Sequence, residues 1–194
     1  MQRTVFLLAA LLANAAAPAA TRPPNLVFIL TDNQGAWTLG CYGNPDIRTP
    51  HIDRLAAEGT RFSRAFTTAP VCSASRSAMM TGMYQTTIGA HHHRSHRDDG
   101  YQLPAGVKVA TDRFREAGYF TANLVEMPAG FGFKGTGKTD WNFTYAGQPF
   151  DGKSWEELKV KQPFYAQINF QETHRKFHAP PKADPAKVAL PPIY

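Results

Sequence analysis

The sequence predicts an α/β domain built on a mostly parallel sheet, and three observations lead there. Short apolar runs that read as strands alternate with stretches at helical spacing. Polar clusters recur where those strands end, the place where such sheets bind ligands. The composition is that of a globular chain, with 43% hydrophobic and 19% charged residues over 194 positions. At about 150 residues per domain, this length allows one domain, or one and part of another. Disordered, coiled-coil and collagen-like chains are disfavoured by the same composition. The net charge of +6 suits an anionic ligand, but the charges are scattered without a basic run, which speaks against nucleic acid.

The elements follow in order. Residues 1–20, MQRTVFLLAALLANAAAPAA, join a basic start to a short apolar run and then small residues, the pattern of a secretory signal peptide. A secreted or periplasmic product is expected. No later stretch reaches the roughly 18 consecutive apolar residues that a membrane helix needs. Asn25 to Thr31, NLVFILT, reads as a central strand buried on both faces, ending at Asp32 and Asn33. From Thr49 a capping threonine, Pro50 at the first helical position, apolar Ile52, Leu55 and Ala56, and a terminating Gly59 predict a helix.

Arg61 to Thr67 reads as another extended segment. Ser73 to Thr81 reads as a helix stopped by Gly82, and Val107 to Ala117 as one stopped by Gly118. Tyr119 to Val125 and Phe164 to Phe170 are further predicted strands. Between Met127 and Gly152 the chain is rich in glycine and aromatic residues, which predicts a loop excursion near a site. The tail from Ala179 to Tyr194 carries five prolines and no periodicity.

The two cysteines of an exported chain could form one disulfide. Cys72 has a better explanation, which leaves Cys41 as a small buried apolar residue. Cys72-Ser73-Ala74-Ser75-Arg76 lies at a loop-to-helix junction, where a cysteine feels the positive end of the helix dipole and Arg76 follows one turn later. The same place suits an anionic substrate. From these residues alone Cys72 is a thiolate nucleophile, a modified residue, or a buried cysteine preceding a helix.

CSASR, with TDNQG upstream and TPHIDRLAAEGTRFSRAFTTAPVCSASRSAMMTGMY around it, resembles the type I sulfatases of the alkaline phosphatase superfamily. In those enzymes the motif C-x-[P/A]-S-R directs oxidation of its cysteine to formylglycine. The resemblance runs from Pro24 to about Phe177. It implies an α/β/α sandwich, with residues 21–194 as the N-terminal part of a catalytic domain whose C-terminal part is missing.

Carried over position by position, the resemblance makes Cys72 the formylglycine precursor, whose hydrated aldehyde supplies the attacking hydroxyl, and Arg76 the residue that steadies it. Asp32 and Asn33 match the Asp-Asp or Asp-Asn pair that, with residue 72, holds a divalent cation, Ca²⁺ or Mg²⁺. Gly137-Lys138-Thr139-Asp140 resembles Gly-Lys-x-His, in which the lysine holds a sulfate oxygen; here Asp140 stands where histidine is usual. Gln171-Glu172-Thr173-His174-Arg175 resembles the segment that places a histidine, here His174, to bind substrate and protonate the leaving group.

The cluster His91, His92, His93 and His96 lacks the spacing of a structural zinc site, and the resemblance places it at the pocket rim, with His93 against the sugar. The implied partners are a sulfated carbohydrate, nearest to N-sulfoglucosamine, and a formylglycine-generating enzyme. An inactive truncated chain, a phosphatase or phosphodiesterase of the same superfamily, and a carbohydrate-binding protein without activity are the alternatives. Cys72 argues against the phosphatase, which carries serine or threonine there.

Overall fold

The computed structural model describes residues 22–96 and 98–174. The predicted leader and the proline-rich tail lie outside them. The core is a four-stranded sheet in the order β1-β4-β2-β3, with every pairing parallel. Its strands are β1 (Leu26–Leu30), β2 (Phe120–Glu126), β3 (Gly152–Ser154) and β4 (Phe164–Asn169). The helices are α1 (Pro50–Glu58), α2 (Cys72–Thr81), α3 (Ala110–Glu116) and α4 (Trp155–Val160). The α/β class and the parallel sheet are as the sequence predicts. No helix among the described residues is long and apolar enough to cross a membrane.

Strand alternation sorts β4 into two faces. Ala166 and Ile168 point to one side with Ala122 and Leu124 of β2, where Leu158 of α4 and the partly buried Trp155, Phe133 and Phe170 complete a cluster. Tyr165 points to the other, into a cluster with Met80 of α2, Val109, Trp141, Phe143 and Phe150. Burial there pushes the Tyr165 phenol up to about 12, because the charged form loses its hydration. On that second face Asn123, Gln167 and Asn169 are buried as well, so an apolar layer turns polar toward the carboxyl ends of the strands.

Several predicted elements need correction. β1 is not a central strand: it pairs only with β4 among the described residues, and Val27 and Ile29 remain 51% and 53% exposed. Residues 61–67 form no strand, and Phe62 and Phe66 are exposed, since an extended segment without a pairing partner leaves its backbone groups to water. The α1 helix forms where expected, but Ile52 and Leu55 are exposed. Thr49 does not cap it through a helix N–H; its hydroxyl donates to Asp53 Oδ1 at 2.9 Å and accepts from Gly40 N–H at 2.9 Å.

Cys41 is half-buried rather than buried, and both cysteines are free. The helix α3 begins at Ala110, three residues later than predicted. The sequence reading also lacks β3 and α4, although Ser154-Trp155-Glu156-Glu157 is a capping box, with Ser154 Oγ accepting from Glu156 N–H at 3.2 Å and Glu157 Oε2 accepting from Ser154 N–H at 2.9 Å.

The loop after β2 is threaded against the sheet by a close backbone approach. A Cβ on buried Gly135 would lie 1.9 Å from the Leu124 carbonyl oxygen. The next residues are pinned by Thr136 N–H to Asn169 O at 2.9 Å and by Asn123 Nδ2 to Gly137 O at 2.8 Å. Gly135→Ala must therefore push this segment off β2. The expected cost is about 2 kcal/mol, in the range for overpacking, read as a lower urea midpoint at unchanged slope; an unaltered midpoint would show that the segment moves freely.

Candidate active site

The carboxyl ends of β1 and β4, the first turn of α2 and the loop through Lys138 meet at one place. Cys72 is the first residue of α2. It lines a hollow of about 220 Å³ together with Asp32, Asn33 and Arg76. The helix enters with small residues, Ser73, Ala74, Ser77 and Ala78, all buried, so its backbone lies close to its neighbours. Asn142 N–H donates to Ser77 Oγ at 2.9 Å, which ties the helix to the segment that follows Lys138.

Arg76 is 4% exposed and its guanidinium is the hub. It donates to Asn169 Oδ1 at 2.7 Å, to the Lys138 carbonyl at 3.0 Å and to Asp32 Oδ2 at 3.2 Å. Lys138 Nζ donates to the same Asp32 oxygen at 2.8 Å. Burial alone would raise the Asp32 pKa, but the hydrogen bond and charge of Lys138, followed by those of Arg76, hold it below the usual carboxylate range. Behind Arg76 runs a row of amides: Gln167 Nε2 donates to Asn169 Oδ1 at 3.1 Å, and Asn169 Nδ2 to Asn123 Oδ1 at 2.9 Å. Sequence reasoning missed these three residues. Their signal is side-chain amides inside strands, Gln167 and Asn169 two apart in β4 and Asn123 in β2, which demand buried partners.

Asp140 is buried, with its carboxylate 3.4 Å from Arg94 Nε and 3.7 Å from Lys138 Nζ. Where histidine was expected, the site thus holds an ion-paired acid. The histidine-rich loop lies over the start of α2. His93 Nε2 is 3.9 Å from Cys72 Sγ, and Arg94 N–H donates to Ser73 Oγ at 3.0 Å. His96 places one ring nitrogen 2.7 Å from Asp99 Oδ2 and the other 3.0 Å from Gly89 O, and the bond to Asp99 raises its pKa.

His174 is half-buried in the turn after β4, where its N–H donates to Gln171 O at 2.9 Å. The Thr173 hydroxyl donates to Thr31 O, which ties that turn to the residue before Asp32. The structure therefore unites Asp32, Asn33, Cys72, Arg76 and Lys138, puts His93 against Cys72, and sets the turn that carries His174 against Thr31.

Among the described residues no group of three or more histidine, cysteine, aspartate or glutamate side chains could hold a metal. Asp32 and Asn33 offer oxygen donors on the hollow that residue 72 lines. That donor chemistry fits a hard cation, provided residue 72 contributes an oxygen in place of its sulfur.

A protein-family profile described as Sulfatase matches residues 24–167. An ulvan-active sulfatase of Formosa agariphila is 32% identical over 163 residues, covering 78% of this chain and 25% of the relative. The sulfatase YidJ of Escherichia coli is 33% identical over 145 residues, 72% of this chain and 27% of its own. The human N-acetylgalactosamine-6-sulfatase is 34% identical over 110 residues, 53% and 21% of the two chains. Among solved structures, BT1596, a 2-O GAG sulfatase, superposes with a TM-score of 0.57 at 23% identity, over 79% of this chain and 36% of that one; this likeness is one of fold. The chain spans about a quarter of the length of the curated relatives it matches.

Arg76→Met removes the donor shared by Asn169, Lys138 and Asp32. Taking one partner from a buried ion pair leaves the other uncompensated, and a loss of about 3 kcal/mol is expected, measured by urea unfolding. A loss under about 1 kcal/mol would show that the guanidinium is not what joins the four segments.

Proposed function

The chain belongs to the sulfatase family, and from that premise we propose that it carries the nucleophile half of a site that hydrolyses sulfate from a sulfated carbohydrate, with Cys72 converted to formylglycine. The observation that carries this reading is the position of Cys72 on the first turn of α2, on one hollow with Asp32, Asn33 and Arg76, inside a C-S-A-S-R motif. A helix N-terminus presents unpaired N–H groups and positive potential to an anion. Lys138 and Arg76 add two cations beside it.

Each residue takes a role that its surroundings support. Oxidised Cys72 provides a hydrated aldehyde, and so a hydroxyl for attack on sulfur. Asp32, Asn33 and an oxygen of residue 72 would hold a calcium or magnesium ion, which offsets charge on the transferring group. Lys138 reaches the site on the segment pinned to β2 and β4, and binds a sulfate oxygen. Arg76 orients residue 72 and is itself held rigidly by Asn169. His174, on a turn tied to Thr31, donates a proton to the departing oxygen or nitrogen.

The family motif and the leader support an exported enzyme matured by a formylglycine-generating enzyme. For the substrate, the ulvan-active and N-acetylgalactosamine-6-sulfatase relatives support a sulfated carbohydrate, and an N-sulfated or O-sulfated amino sugar is the first class to test.

Two measurements check this reading. After coexpression with a maturating enzyme, the peptide containing Cys72 is expected to carry an aldehyde that reacts with a hydrazide probe, and Cys72→Ala is expected to abolish desulfation; a peptide that keeps its thiol rejects the chemistry. His174→Gln is expected to lower kcat by about 10²–10⁴-fold on sugar sulfates, whose leaving groups need a proton, and far less on an activated aryl sulfate. Equal losses on both substrates would remove His174 from proton transfer.

A further inference from the structure

Among the described residues, three that are not glycine have positive φ: Asp32 at 57°, Arg94 at 57° and Asp140 at 52°. Left-handed backbone is disfavoured for residues with a Cβ, and where it persists it gathers at functional sites. Here all three belong to one chain of alternating charge. Arg94 pairs with Asp140, Asp140 with Lys138, Lys138 with Asp32, and Asp32 with Arg76. Four of these five members serve the sulfate site or link its parts, and the fifth, Arg94, is the outermost.

The Arg94 to Asp140 pair is asymmetric. The side chain of Asp140 is 1% exposed, while that of Arg94 is 40% exposed. The buried acid holds Nε of the guanidinium, and Arg94 makes no other ion pair among the described residues. Its guanidinium fork fits two oxygens of a carboxylate or a sulfate.

Its backbone is fixed as well. Arg94 N–H is bound to Ser73, the residue after Cys72, and Asn142 Nδ2 donates to Ala90 O at 3.1 Å and to His92 O. The adjacent His93 lies 3.9 Å from Cys72 Sγ and the paired Asp140 stands 3.7 Å from Lys138 Nζ, so the guanidinium is mounted beside the site by a loop fastened to α2. Such fixing reduces the cost of ordering a long side chain around a ligand.

We propose that Arg94 binds a second anionic group of the substrate, a carboxylate or a further sulfate on the sugar unit that carries the scissile sulfate or on its neighbour, and that Asp140 is the positioning residue that fixes its guanidinium. This rests on the sulfatase reading given above. It gives Asp140 a purpose at a position where histidine was expected: the acid serves the loop arginine instead of the reacting sulfate. An ion pair that only braced the loop would not distinguish one sulfated sugar from another.

The test is a calorimetric titration of the full chain carrying Cys72→Ala, which lacks the attacking oxygen, with three ligands. These are a monosulfated amino sugar, its disulfated counterpart, and a monosulfated disaccharide containing a uronic acid. One of the last two is expected to bind at least about tenfold tighter than the first, as a charge-assisted contact provides, and the one preferred identifies sulfate or carboxylate.

Arg94→Met is expected to bring that ratio near one, Arg94→Lys to restore part of it, and Asp140→Asn to lower it about threefold with the thermal midpoint still measurable. Equal binding of all three ligands by the parent, or a ratio untouched by Arg94→Met, overturns this inference alone. Binding of no sulfated sugar overturns both it and the sulfatase reading.

Discussion

A guanidinium removed from water must find acceptors in several directions at once, and Arg76 finds them on three separate segments. Its own helix α2 carries residue 72. Its partners are Asn169 at the end of β4, Asp32 just after β1 and the carbonyl of Lys138 on the loop after β2. Three bonds from two of its nitrogens tie those segments to α2, so the buried cation sets the register of the site. The amide row from Gln167 through Asn169 to Asn123 extends that control into the sheet. Polar groups here specify geometry at a cost in burial that the two apolar clusters on either face of the sheet offset.

The residues proposed to bear chemistry stand out in the sequence because their signals are local. C-S-A-S-R sits at a helix start, T-D-N ends an apolar run and G-K-T-D follows a strand; each needs only its neighbours to be recognised. What joins them was not legible. Asn123 and Asn169 lie 46 residues apart, and nothing near either one announces the other. The same limit explains β1: NLVFILT reads correctly as a strand, but its place in the sheet depends on which strands pair beside it. The false strand at 61–67 shows the converse, a fitting local pattern with no partner among the described residues. For β3 and α4 a local signal did exist, the capping box at Ser154, but the glycine-rich and aromatic stretch before it resembled one long loop.

Asp140 shows how a departure from a family pattern is absorbed. An unpaired carboxylate beside a sulfate would repel it, and a buried one would resist ionising. Two cations, Arg94 and Lys138, lie within 4 Å of it, so its charge is offset locally and the region keeps a positive balance. The consequence is a division of labour. Lys138 is shared between two acids, while Arg94, on a loop fastened to Ser73, takes the outer position.

β1 raises a different physical question. A continuous apolar strand is suited to burial on both faces, yet Val27 and Ile29 are half-exposed here, and the strand's free edge offers backbone groups that a neighbouring strand would pair. Asp32 and Asn33 stand immediately beyond it. Their position is therefore held by what they bind, Arg76 and Lys138 for Asp32, and by the Thr173 to Thr31 contact, more than by packing around the strand. A residue at φ 57° with so little apolar support keeps its geometry through ion pairs. The cations proposed to bind the sulfate and to orient residue 72, Lys138 and Arg76, therefore also hold the residue proposed to bind the metal.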